Sequence, residues 1–548
     1  MDPRPRARAN ALILLAGAVI MIMVAACAPT APTGPAGDPA APSGGAVADP
    51  TLTIATTTDV VNYNPLIGNS RSDYWITNLM YPHLLGIADN GSKTAHLATE
   101  WGYVDPTTGF YEIRDDFTWS DGTKLTAEDV AWTLNTVKQD KPSGTFYGQL
   151  ANFESAEAVS ATRVELKLSK PDTSIIEEIG FWGNIVPKHV FGKAKSVATF
   201  ANDGSDGGWV SAGPYQLKSV QVGQSYTLDR VDGYPLVEGG KPGPKQVVYR
   251  VYPDVNTEIL ALQSGEVDVI ANALPPAQVE KLRSTAGVKI AESKGLGYAH
   301  LTYNMTKPDL AKVEVRQALA HAVDYNAIRT VVLQGQAVST GHSPLMPVLS
   351  DYHDPSITEY PFDTAKARQL MEQAGYQPGA DGMFEPSFRL IYSLQDSVTD
   401  QWVTMIKDSA AEAGIKIELQ GMERNTYLAK TDKGDFDIYA GNFAIMDDPV
   451  TNMSLTYLPG GVINYSYVDD PALSKLINDA AVTQDKQQKI TLMRQAAKIV
   501  RDQMYDNIMY TQNLYFAYSD EWDGFQAKPS ELLSIVNPES VAGAAKVK

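Results

Sequence analysis

The segment FYEIRDDFTWSDGTKLTAEDVAWTLN, residues 110–135, decides the fold. Its first half alternates apolar and polar residues and reads as a strand. Asp121-Gly122 then makes a turn. Thr126, with Asp129 three residues later, has the form of a capping box and opens a helix over 127–137. Strand, turn and capped helix recur outward from here. TLTIATT (51–57) suits a first strand. A helix over 256–264 stops at Gly265 and is followed by the strand VDVI. Helices over 364–374 and 402–413 close at Gly375 and Gly414, and the second leads into the strand IKIEL. Positions Val315, Ala318, Leu319, Ala322 and Val323 form one apolar stripe and predict a helix over 313–333, and 486–504 reads as a long amphipathic helix. Units of this kind argue for α/β lobes. The 548 residues exceed what one core holds, since single cores rarely grow past about 300 residues.

With 45 Lys+Arg against 64 Asp+Glu, the chain carries −19. That balance argues against a nucleic-acid partner, because phosphate backbones select basic surfaces. The single cysteine excludes an intrachain disulfide and any multi-cysteine metal centre. Its position is informative. Arg4, Arg6 and Arg8 precede an apolar run over 11–26, too short for a membrane span of roughly 20 residues. The run ends Val24-Ala25-Ala26-Cys27. Residues 1–26 therefore read as a lipoprotein signal peptide and Cys27 as the lipidation site. The segment through 49 has five Pro, four Gly and seven Ala after Cys27 and no aromatic residue, the composition of a tether. Signal removal takes away three Arg and one Asp and leaves −21. Anchor and tether, rather than surface charge, would hold such a body at an anionic membrane.

Several segments match a known family in order. They are 111–135, IVPKHVF (185–191), SAGPYQL (211–217), ILALQSGEVDV (259–269), VEVRQALAHAVDYNAI (313–328), AKARQLMEQAGY (365–376) and AAEAGIKIELQGM (410–422). Across nearly the whole mature chain the sequence resembles the bacterial extracellular solute-binding proteins of family 5, the oligopeptide/dipeptide/nickel type serving ATP-binding-cassette (ABC) importers. The resemblance implies an α/β, two-lobed periplasmic-binding-protein-like fold of the large peptide-binding class (type II), with an extra inserted domain. The ligand cleft would lie between the lobes. Lobe 1 would take 50–83, 205–297 and 505–548, the inserted domain 84–204 and lobe 2 298–504. Gly122, Gly213 and Gly265 read as turn or cap residues, Asp129 as a helix cap, and Arg316 and Asp324 as ties between elements.

Peptide-binding relatives hold the ligand ammonium with an Asp ahead of an Asp-Pro. In GNFAIMDDP (441–449) Asn442 stands at a common Trp and Ile445 at that Asp. Ile cannot neutralise a buried ammonium. Either Asp447 takes the role or the ligand has no free amine there; Asp448 reads as the turn before Pro449. Position in relatives and side-chain chemistry nominate Asn62, Tyr63, Trp75, Trp182, Asn184, Tyr298, Asn304, Glu423, Phe443, Asn464, Tyr465 and Tyr467 as further contacts. Packing competes for Trp75 and Trp182, His300 reads as structural, and a solvated loop carboxylate competes for Glu423.

The expected function is capture of an extracellular solute by hinge closure and delivery to permease subunits by a lipid-anchored, monomeric protein. A short peptide is the default solute. An oligosaccharide or other non-peptide solute, or a nickel-type metal chelate, is the alternative, and sensing shares the same cleft with uptake. No cofactor or protein-bound metal is expected. A hydrolase is disfavoured: GHSPL (341–345) lacks the second Gly of a G-x-S-x-G elbow, and no H-E-x-x-H occurs.

Overall fold

The structure is a computed structural model that describes residues 49–548 except 69, 143–144, 206, 395–396 and 531. The signal segment, Cys27 and the tether up to residue 48 lie outside the described residues. Three sheets organise the body. The first has seven strands in the spatial order Val288–Ser293, Leu514–Ser519, Val269–Ile270, Thr51–Thr56, Gln246–Val251, Ser225–Arg230 and Tyr215–Gln221. Thr51–Thr56 pairs in parallel with both of its neighbours. The second has six strands in the order Ala337–Val338, Asp506–Gln512, Tyr298–Tyr303, Ile438–Phe443, Ser387–Ser393 and Lys416–Met422. The third is a four-stranded antiparallel sheet, Ala98–Asp105, Thr108–Ile113, Arg163–Leu168 and Phe153–Ala158.

The opening segment folds as its pattern predicts. Thr108–Ile113 is a strand, Gly122 takes φ +88° in the turn, and the helix runs Ala127–Asp140. Asp129 does more than cap. One carboxylate oxygen accepts from the Thr126 backbone N–H at 3.1 Å and the other from that of Lys188 at 3.0 Å, so the helix start is tied to a distant loop. Gly265 (φ +75°) stops the helix Val255–Gln263 as expected. Gly213 is not a turn residue. A Cβ there would stand 2.3 Å from the Leu79 carbonyl oxygen, so glycine permits a close backbone approach.

The helix expected over 313–333 is broken. It runs Val313–His321, and a new turn starts where the Asp324 carboxylate accepts from the Ala327 N–H at 2.8 Å. The apolar stripe is still buried through Val323, because periodicity reports which face is covered and a local cap decides where the helix stops. Arg316 is buried and donates to the carbonyls of Leu310, Gln503 and Met504. The boundary expected at 505 also moves. Asp506–Gln512 pairs with Tyr298–Tyr303 in the second sheet, and only from Leu514 does the chain rejoin the first.

Two short stretches carry the chain between the large sheets, 294–297 and Asn513. They lie against each other, and the Thr511 hydroxyl donates to the Gly295 carbonyl at 3.1 Å. The first and third sheets share one core, with Leu52, Val247, Tyr111 and Val164 in the same apolar cluster. The second sheet has its own core around Leu301, Leu390, Trp402 and Ile438.

One buried acid in the first half is unpaired. Glu258 is fully buried, and neither carboxylate oxygen has a hydrogen-bond partner among the described residues. Burial, helped by Asp254, pushes its carboxyl up to about 8. Between the ordinary carboxyl value and about 8 the folded protein holds a proton that the unfolded chain has released, so stability falls as pH rises through that window. Wild type should lose stability from pH 5 to pH 8 by up to about 1.4 kcal/mol per unit. Glu258→Gln should flatten that slope in urea melts, and equal slopes in the two proteins would refute the assignment.

Candidate functional site

A seam beside the first crossing, against one face of the second sheet, is lined by several distant parts of the chain. An apolar cluster there joins Ile87 and Phe181 of the inserted segment, Leu296 of the first crossing, and Tyr298, Met446 and Ile508 of the second half. Beside it lies a narrow pocket of about 40 Å³, walled by Asn78, His83, Trp182, Lys528 and Leu533 on one side and by Ile445 on the other. That volume holds a few waters at most. The indole N–H of Trp182 is buried here without a hydrogen-bond partner among the described residues, as is the indole N–H of Trp75 deeper in the first core. Unpaired buried groups of this kind are uncommon in folded proteins. Burial, then His96, pushes the His83 imidazole down to about 3, so it is neutral.

A second cavity, about 160 Å³, opens in the second half, walled by Arg424, Tyr427, Tyr439, Asn442, Phe443 and Tyr465. The strand Ile438–Phe443 supplies one wall and the helix Arg424–Asp432 another. Gly441 is required here, since a Cβ would stand 2.6 Å from the Tyr439 ring and 2.8 Å from the Tyr427 hydroxyl. Tyr439 is fixed from behind. His300 Nδ1 lies 2.9 Å from both oxygens of Asp506 and its Nε2 lies 2.9 Å from the Tyr439 hydroxyl. With Nδ1–H donating to the carboxylate, Nε2 accepts from Tyr439. The segment 441–445 therefore borders both cavities, with Asn442 and Phe443 facing one and Ile445 the other.

Other nominated residues are held by the protein itself. Asn62 donates through its side-chain amide to Asp73 at 3.3 Å. Tyr63 packs edge-on to Trp209 with ring centroids 6.3 Å apart. Trp75 is a core residue. Asn184 donates to Asn78 Oδ1 and the Tyr81 carbonyl, and Asn304 to the carbonyls of Gly434 and Phe436. Asn464 bridges the carbonyls of Leu458 and Val468 within its loop. Glu423 caps the helix Arg424–Asp432, accepting from the Thr426 N–H at 3.1 Å, and backbone N–H bonds hold its carboxyl below its ordinary value. Tyr467 is exposed with φ +58°. Asp448 caps the helix Pro449–Tyr457.

Asp447 is paired with a residue that pattern reasoning passed over. Lys93 Nζ from the inserted segment lies 2.5 Å from its carboxylate, and both side chains are 3% exposed. The ammonium also sits 4.2 Å from the centre of the Phe181 ring. Burial alone would lower the Lys93 ammonium, but Asp447 and Glu178 outweigh it and hold it above its ordinary value. Burial, then Asp447, pushes the neighbouring Glu178 carboxyl well up, against the pull of Lys93. A carboxylate already neutralised by a buried lysine is poorly available to a ligand ammonium. Arg424 was also passed over, although it follows the nominated Glu423 directly. Removing one partner of a buried pair costs about 3–5 kcal/mol, while replacing both by apolar residues costs far less. Lys93→Met and Asp447→Leu should each destabilise by that order, and the double variant should recover most of the loss in denaturant melts. Two neutral single variants would contradict a buried pair.

The family described as "Bacterial extracellular solute-binding proteins, family 5 Middle" matches residues 94–464. Over 499 residues the chain is 25% identical to the probable D,D-dipeptide-binding periplasmic protein DdpA of Escherichia coli K12, covering 87% of this chain and 92% of the relative. The fold is shared with the ABC transporter substrate-binding protein CtaP of Listeria monocytogenes, with TM-score 0.81, 22% identity, and 92% and 100% of the two chains covered. It is likewise similar to the oligopeptide-binding protein AppA of Bacillus subtilis in complex with a nonapeptide, with TM-score 0.73, 21% identity, and 92% and 100% covered. A match over residues 94–464 spans most of the body and includes both sides of the seam, and the chain belongs to the bacterial extracellular solute-binding proteins of family 5.

Proposed function

We propose that this protein is the solute-capturing component of an ABC importer, that it closes over a short peptide, and that Cys27 carries the lipid that holds it outside the cytoplasmic membrane. The observation that carries this reading is the seam itself, where Asn78, His83, Trp182 and Lys528 on one side and Ile445, just past the strand Ile438–Phe443 of the second sheet, on the other wall one pocket. In this reading the lobes are 50–83, 205–297 and 513–548 for the first, with 84–204 inserted, and 298–512 for the second. A ligand that touches both lobes stabilises the closed arrangement by its differential affinity for it. The indole N–H of Trp182, unpartnered among the described residues, suits a peptide carbonyl, and Tyr427, Tyr465 and Phe443 suit side chains. The named ligands of the relatives, dipeptides and a nonapeptide, support a peptide here.

A thermal-shift screen with di- to pentapeptides, oligosaccharides and nickel chelates tests the solute. A peptide at 100 times its Kd should add about 2.7 kcal/mol of stability. A shift with sugars or chelates and none with peptides would end the peptide reading. For the anchor, the Cys27→Ala protein should leave the membrane fraction, and its retention there would refute lipidation.

A further inference from the structure

Thirteen arginines are described. Eight meet carboxylates. Three donate to backbone carbonyls, and Arg71 is engaged as well. Arg424 alone among the described arginines has neither hydrogen bond, ion pair nor ring contact. Arg424 is exposed, so water solvates its guanidinium when no ligand is bound. The acids that begin, end and follow its helix are committed. Glu423 holds the Thr426 N–H, Asp432 accepts from the Tyr465 hydroxyl at 3.2 Å, and Asp435 is shared by Arg389 and Lys430. The free guanidinium borders the aromatic cavity of the second half, and Leu428, one turn along the same helix, lines that cavity while 41% exposed. A cation without an internal counter-charge, next to an uncovered apolar and aromatic surface, is the arrangement that recognises an anionic group with an apolar neighbour.

We propose that Arg424 is a specificity-determining residue whose guanidinium holds a carboxylate of the bound solute, while the adjoining apolar or aromatic part of that solute lies in the cavity formed by Tyr427, Tyr439, Phe443 and Tyr465. The cavity's volume of about 160 Å³ admits one such side chain. This assignment rests on the peptide reading above and sharpens it. The solute is anionic at the end that enters the second lobe. Its carboxylate comes either from a peptide C-terminus or from an acidic side chain, and the guanidinium fork suits both.

The test compares three libraries of tri- to pentapeptides: free acids, C-terminal amides without acidic residues, and C-terminal amides carrying one Asp. Kd values are measured on wild type, Arg424→Gln and Arg424→Lys. Arg424 bonds to nothing, so both variants should keep the wild-type melting temperature without ligand, which separates lost recognition from lost folding. Wild type should prefer free acids, or Asp-bearing amides, over neutral amides. Arg424→Gln should weaken the preferred class by at least about tenfold, the scale of a charge-assisted hydrogen bond. It should leave neutral amides within about twofold, and Arg424→Lys should recover part of the loss. Preference for free acids assigns the terminal carboxylate, and preference for Asp-bearing amides assigns the side chain. Equal binding of acids and neutral amides by wild type, or unchanged affinity in Arg424→Gln, would overturn the role of Arg424 and leave peptide capture standing. If no library binds wild type, the peptide reading and this inference fall together.

Discussion

Everything in this molecule hangs on two backbone carbonyls. The oxygens of Gln512 and Phe443 occupy the space where residues 295 and 297 would carry a Cβ, at 2.3 and 2.0 Å from the ideal positions. Only glycine lets the chain pass there. That close approach lays the two crossings side by side, with Leu296 between the glycines fully buried. Paired crossings fix where the second sheet can sit, and hence which residues of the inserted segment meet 441–449. The buried Lys93–Asp447 pair, the apolar seam and the position of Ile445 all follow from it.

Electrostatics divides the site into two unlike regions. At the seam, Lys93 takes Asp447 and burial raises the Glu178 carboxyl. In the second half the tyrosines are held from behind by the buried His300–Asp506 pair, while the guanidinium at the cavity edge is left uncommitted.

Much of the fold was legible in the residues because its signals are local. The capping box at Thr126 and Asp129 and the left-handed glycines at 122, 265, 375 and 414 act within a few residues of themselves. The break after His321 was not legible, because the stripe 315–323 is buried whether or not the helix continues. The sheet membership of 506–512 was hidden too, since a strand's partner is a non-local fact. The site shows the same division. Asn442, Phe443 and Tyr465 come together in one cavity, and Asp448 caps the helix as its Asp-Pro suggests. Asn184 and Asn304 carry the right chemistry for ligand contact, yet their amides serve buried backbone carbonyls, a demand only the folded chain reveals. Lys93 gave no signal, because an isolated lysine in a turn-rich stretch looks like any solvated one until a partner 354 residues away is placed beside it.

The place of Leu514–Ser519 inside the first sheet bears on biogenesis. It lies between Val288–Ser293 and Val269–Ile270, pairing with both. A sheet begun at residue 51 therefore lacks an internal strand until residues 514–519 have been made. During synthesis the early strands can pair and the second half can pack, but the first sheet stays split and its apolar faces stay open. The first sheet can therefore close only after the second has its strands, which makes its completion a long-range step.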